Sequence, residues 1–152
     1  MSLFNILDID KLWVAYGVGK NFKYIAAHEV AASLGPKIAS CLLIFHALKG
    51  CDTVSFFHGK GKKSCWLAWK AYEEISDTFS KLLENKVSVE ESMPVIERFV
   101  VLLYNRTSKE TLVNDARRAM FAQKGRDLAR IPPTWAALEQ HLKRAILQAS
   151  FI

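Results

Sequence analysis

Gly50-Cys51-Asp52-Thr53-Val54-Ser55-Phe56-Phe57-His58-Gly59-Lys60-Gly61-Lys62-Lys63 joins a strongly apolar segment to an aromatic one. It carries a lone carboxylate and then a glycine-framed basic turn. Glycines let a backbone come close to an anion, and the amides at a helix start point toward one. Gly59, Lys60, Gly61, Lys62 and Lys63 are therefore a candidate cradle for backbone phosphates. The competing reading is a solvated turn. Asp52 is a candidate ligand for a hard divalent cation, Mg²⁺ or Mn²⁺, of the kind that hydrolyses phosphodiesters. Its competing role is a helix cap, because Asp-Thr after glycine is a good N-cap pair. One carboxylate does not hold a catalytic metal pair, so no residue is assigned as catalytic.

The flanks of this stretch read as helix. Ile38 to Leu48 is apolar apart from Ser40 and His46, and is too short to span a bilayer. Pro36 fits the first turn of that helix and Gly50 its end. After the turn, Trp66, Trp69 and Tyr72 recur at helical spacing over Ser64–Ile75, a stripe that reads as core rather than as a stacking platform. Further helices are expected from a Ser76-Asp77 cap to about Glu84, over Val89–Tyr104 with Pro94 in the first turn, from a Ser108 cap to about Gln123, and from Pro132-Pro133-Thr134 to about Ala149. Upstream, residues 11–17 are aromatic and β-branched, Gly17–Asn21 reads as a turn, and Phe22–Ile25 alternates again, which predicts a β-hairpin. A short helix, Ala26–Leu34, follows. The fold class is mainly α with a short N-terminal β-hairpin. A lone hairpin is marginally stable, so a missing N-terminal half or a partner chain is expected to complete it.

The chain has 152 residues, 51% hydrophobic and 24% charged, with a net charge of +6. These values fit an ordinary globular domain and exclude a disordered or fibrous one. The basic residues cluster: Lys60, Lys62 and Lys63 in one group, Arg117, Arg118, Lys124, Arg126 and Arg130 in another. Such patches suit a polyanion, nucleic acid above all. The same residues also serve to keep a helical protein in solution. Cys41, Cys51 and Cys65 lack Cys-x-x-Cys spacing and read as reduced thiols of an intracellular, candidate nuclear, protein. No secretory signal or membrane span is expected. His46, on an apolar helix, reads as a core histidine, and His58 as a surface one. Asp8 and Asp10 fall on one face of an extended segment and read as a polar strand entry.

The run Ile44-Phe45-His46-Ala47-Leu48-Lys49-Gly50-Cys51-Asp52, followed by Gly59-Lys60-Gly61-Lys62-Lys63, resembles a signature of flap endonucleases and related PIN-like 5′ nucleases. In that family an apolar helix ends in Gly-Cys-Asp, whose aspartate helps to hold a divalent metal, and a Gly-x-Gly-x-Lys turn forms the hairpin of a helix–hairpin–helix that grips duplex DNA. The resemblance implies that residues 1–75 are the C-terminal part of an α/β PIN-like domain, with 76–152 a helical extension packed on it. Glu97–Tyr104 and Gln123–Arg126 are similar to the C-terminal parts of large uncharacterised animal proteins that carry a PIN-like domain. Two departures stand out: Lys60 replaces the apolar residue usual between the hairpin glycines, and Lys62 replaces a frequent proline. The function implied is that of a nuclease-like protein that binds DNA without sequence preference, a truncated or degenerate structure-specific nuclease. The alternatives are a helical protein-interaction module and an active metal-dependent phosphodiesterase completed by another chain.

Overall fold

Trp13–Tyr16 (β1) and Lys23–Ala26 (β2) pair antiparallel, with Trp13 opposite Ala26 and Tyr16 opposite Lys23. A short 3₁₀ turn, Gly19–Asn21, joins them. The computed structural model describes residues 9–51, 54–123 and 127–151. The hairpin is thus formed where the alternation of aromatic and β-branched residues places it. β2 passes directly into helix α1 (Ala27–Leu34), which ends at Gly35, whose amide bonds back to the carbonyls of Ala31 and Ala32. Helix α2 (Pro36–Lys49) begins on its proline, where the missing N–H costs no helical bond. Contacts separate two units, residues up to Leu42 and residues from Leu43 onward, with α2 running through the division.

The second unit is helical. It comprises the end of α2, then α3 (Lys62–Ala71), α4 (Ile75–Leu83), α5 (Val89–Tyr104), α6 (Val113–Phe121) and α7 (Trp135–Ser150). Helix α5 is the hub: α3, α4, α6 and α7 all pack on it. That placement explains its composition. Ile96, Phe99, Val100, Val101, Leu102 and Leu103 are all buried, and a helix surrounded by others is apolar around most of its circumference. Its start is fixed by a capping box, in which the Ser88 hydroxyl accepts from the Glu91 amide at 3.1 Å and the Glu91 carboxylate from the Ser88 amide at 2.9 Å. Pro94 lies past the first turn, inside the helix. It therefore withholds an N–H from the carbonyl four residues back.

The caps expected for α4 and α6 are made differently. Ser76 lies within α4, buried, and its hydroxyl accepts from the Trp69 indole N–H at 2.7 Å. Ser108 bonds locally to the Glu110 amide. The first amide of α6, that of Val113, is instead bonded by the buried Glu97 carboxylate of α5 at 3.1 Å. Burial raises the Glu97 pKa, opposed by that hydrogen bond. Arg98 secures the same segment, donating to the carbonyls of Ser108 (2.8 Å) and Glu110 (2.6 Å). Thr134 caps α7 as its sequence indicates.

The aromatic stripe of α3 is core in part. Trp69 is buried, packed against Phe45 and Phe79 with ring centroids 4.4 and 5.7 Å away, while Trp66 and Tyr72 are half-buried. Each large side chain so buried contributes roughly 1.5–3 kcal/mol. No single helix among the described residues is long and apolar enough to cross a membrane; α1 and α2 have the composition only as a pair, and are bent by 108°.

Candidate nucleic-acid interface

The connector from α2 to α3 is held at every few residues, and its anchors decide how the basic turn is presented. Gly50 comes first, with φ of +103°. A Cβ there would stand 2.4 Å from the Phe56 Cβ and 2.9 Å from the Ser55 carbonyl oxygen. Only glycine allows the two strands of the connector to lie so close. Cys51 and Val54 exchange both backbone hydrogen bonds, each at 3.1 Å. Asp52, the expected metal ligand, lies outside the described residues, as do Asp8, Lys124 and Arg126.

His141 of α7 fastens the next part. Its Nε2 lies 2.6 Å from the Leu48 carbonyl and its Nδ1 2.9 Å from the Ser55 hydroxyl. A carbonyl can only accept, so Nε2 carries the proton and donates, and Nδ1 accepts from Ser55. Burial lowers the His141 pKa, which keeps the ring in this neutral form. Phe57, buried beside it, sets its ring 5.0 Å from that of His141 and 6.4 Å from that of Tyr104. The expected core histidine, His46, is exposed; the buried one is His141. Apolar character on several faces of α2 hid which of its residues faces outward.

The turn itself follows. The Lys60 amide donates to the Phe57 carbonyl at 3.0 Å, closing a β-turn over His58 and Gly59, with Gly59 at φ +67°. This is the position where a type II turn calls for glycine. Lys60 then lays its ammonium over the Tyr104 ring, 4.9 Å from the centroid. Burial pushes the Tyr104 pKa up to about 12, so a neutral ring lies beneath the cation. Its face attracts the ammonium. Lys60 is half-buried, its stem lying along the protein while its ammonium reaches the ring.

Gly61 is the N-cap of α3, with φ −79° and ψ 176°, and no side chain caps the helix. A Cβ at Gly59 or at Gly61 would meet nothing within 4 Å. Both glycines border open space, so nothing inside the protein requires the absence of a side chain at Gly61. Lys62 and Lys63 are exposed on the first turn of α3, where a cation is unfavourably placed against the helix dipole unless an anion joins it.

Two hollows flank the turn. One, of about 380 Å³, is lined by His58, Gly59, Lys60 and Arg130. The other, of about 470 Å³, is lined by Lys49, Gly50, Cys51, Phe56, Lys60, Gly61 and Lys62. Arg130 thus joins the turn. Arg117 is bonded to the Pro132 carbonyl, and Arg118 forms an exposed pair with the Asp115 carboxylate.

The described residues lining these hollows bring no carboxylate. Among the described residues no three His, Cys, Asp or Glu side chains are grouped to hold a metal ion. Lysines, a histidine, an arginine and a thiol are not the oxygen donors that Mg²⁺ or Mn²⁺ takes, and Asp52, the expected ligand, is not among these described lining residues. The described lining of both hollows is basic. No family model, no curated protein and no solved structure matches the chain.

Proposed function

We propose that this is a nuclease-like protein that binds the backbone of duplex DNA, without sequence preference, through the Gly59–Lys63 turn and the start of α3. One observation carries the reading. The turn lies between two basic hollows whose described lining has no acidic residue, and Gly59 and Gly61 leave the backbone open to close approach. Lys60, Lys62, Lys63 and Arg130 neutralise phosphates, and the amides of the first turn of α3 hydrogen-bond a phosphate oxygen. Contacts of this kind position a protein on DNA but read no bases. The helix–turn–helix order of α2, the turn and α3 supports kinship with PIN-like 5′ nucleases, in which such a hairpin grips a duplex. Hydrolysis by this chain is not part of the proposal, because the described residues offer no carboxylate set for a metal pair.

The test is the affinity of the full chain for a labelled duplex of arbitrary sequence at low salt. Lys62→Ala with Lys63→Ala should lower it at least tenfold, equally for unrelated sequences. An unchanged affinity in the double variant, with the fold intact by circular dichroism, overturns the proposal.

A further inference from the structure

A third hollow, of about 310 Å³, borders the connector on the side of α7 and has no part in the DNA reading. Ser55 and His141 both line it, and they are the hydrogen-bonded pair that joins residues eighty-six apart. A serine hydroxyl is a weak nucleophile until a base takes its proton. It needs a base within hydrogen-bond reach, a third group that orients the base, and room for the reacting carbon.

All three are present. The Ser55 hydroxyl lies 2.9 Å from His141 Nδ1 and donates to it, because Nε2 carries the ring proton. Nε2–H is held by the Leu48 carbonyl at 2.6 Å, which fixes the ring and keeps the Nδ1 lone pair on Ser55. Burial lowers the His141 pKa, the Leu48 bond opposes that, and the Arg144 charge adds to it. The ring is therefore an unprotonated base at neutral pH. The histidine is buried while Ser55 is exposed, so the nucleophile is open to solvent and its base is not.

The rest of the lining points to a substrate class. Phe56, Phe57 and Ile131 are apolar, and Arg117 and Arg144 bring positive charge. No aspartate or glutamate is among the described lining residues. A carboxylic ester has an apolar body and becomes an oxyanion when attacked, and a guanidinium stabilises that charge. A backbone carbonyl supports the imidazolium less than a carboxylate would, which suits an ester, whose alcohol leaves more readily than an amine.

We propose that Ser55 and His141 are a nucleophile–base pair that hydrolyses small carboxylic esters held in this hollow, with Arg144 stabilising the oxyanion. Ser55 Oγ attacks the carbonyl carbon as its proton passes to Nδ1. The tetrahedral intermediate expels the alcohol, which takes that proton, and an acyl ester remains on Ser55. Water then attacks the acyl carbon and gives a proton to Nδ1. The Ser55 oxygen leaves with that proton, and the carboxylic acid departs.

The test uses the full chain with a fluorophosphonate, which traps such a serine by losing fluoride, and with p-nitrophenyl acetate. Intact mass should show a single adduct, mapped to Ser55, and nitrophenolate should be released faster than in buffer. Ser55→Ala, at an exposed position, should keep the fold by circular dichroism and lose the adduct. Its nitrophenolate release should fall at least about a hundredfold, or to the buffer rate, the low end for general-base catalysis. Arg144→Ala should slow labelling about tenfold, less than for an enclosed oxyanion donor because Arg144 is exposed. Labelling should be level from about pH 8 to 6.5 and fall as pH drops through the lowered His141 pKa. Lys62→Ala with Lys63→Ala should label as wild type does, so this proposal and the DNA reading fail independently. The inference is overturned if folded wild-type protein forms no adduct on Ser55, or if Ser55→Ala releases nitrophenolate at the wild-type rate. It is overturned too if labelling climbs steadily from about pH 6 to 9, as attack by a lysine or by hydroxide would.

Discussion

Replacing Gly61 with alanine should leave stability nearly unchanged and weaken DNA binding by an order of magnitude or more. At φ −79° and ψ 176° any residue is comfortable, and the added Cβ meets nothing within 4 Å. Lowering the entropy of the unfolded chain favours alanine by about 0.4–1 kcal/mol. Glycine is the better N-cap by a comparable amount, since alanine is among the poorest. The two terms oppose each other, and the net change should lie within ~0.5 kcal/mol. Binding has no such compensation. The new methyl stands in the open space that a DNA backbone must enter to reach the amides of α3. Losing one hydrogen bond to a charged phosphate costs ~1.5–3 kcal/mol, roughly a tenfold to a hundredfold loss of affinity. Urea unfolding measures the first quantity and fluorescence anisotropy with a labelled duplex the second. If Gly61→Ala keeps wild-type affinity and wild-type stability together, no strand approaches the α3 amides, and the phosphate cradle is refuted.

Gly50→Ala should act on folding instead. A positive φ costs a non-glycine residue ~1–2 kcal/mol, and a Cβ 2.4 Å from that of Phe56 forces the connector apart. A loss of at least ~2 kcal/mol in urea unfolding is expected, and a loss under 0.5 kcal/mol would contradict the close packing. His141 sets a pH dependence. Its folded pKa is lowered by burial, so below about pH 6.5 the unfolded chain takes up a proton that the folded one resists. Stability should be level above that pH and fall below it, by up to ~1.4 kcal/mol per pH unit from this group. His141→Asn should flatten the fall between pH 6.5 and 5, and equal slopes in both proteins would show that the ring is not held neutral.

Local chemistry was legible in the chain, and long-range pairing was not. The apolar spacing of Met93, Ile96, Phe99, Val100 and Leu103 announces α5, because helical periodicity is a local signal. Trp13–Ala26 announces a hairpin because both strands and the turn adjoin. The glycine–lysine turn is where its glycines put it. The failures share a cause. Ser76 and Ser108 look like caps, yet Ser76 is claimed by Trp69, and the Val113 amide is claimed by Glu97, sixteen residues upstream. His141 reaches Leu48 across ninety-three residues, a partnership that no periodicity encodes. Lys60 over Tyr104 is the same kind of case, since a lysine in a turn reads as solvated until the ring beneath it is placed. Of the candidate site, the residue types and spacing of the turn were readable. Arg130 was legible as one of a basic cluster, but its place beside His58 and Gly59 was not, because the fold alone brings it there.

The most direct measurement is the salt dependence of duplex affinity. Each phosphate neutralised adds about −0.9 to the slope of log affinity against log salt. With Lys60, Lys62, Lys63 and Arg130 on the backbone, the slope should be about −3 to −4, and Lys62→Ala with Lys63→Ala should bring it about 2 units nearer zero. A wild-type slope near zero, or the same slope in the double variant, would mean that DNA, if it binds at all, binds elsewhere.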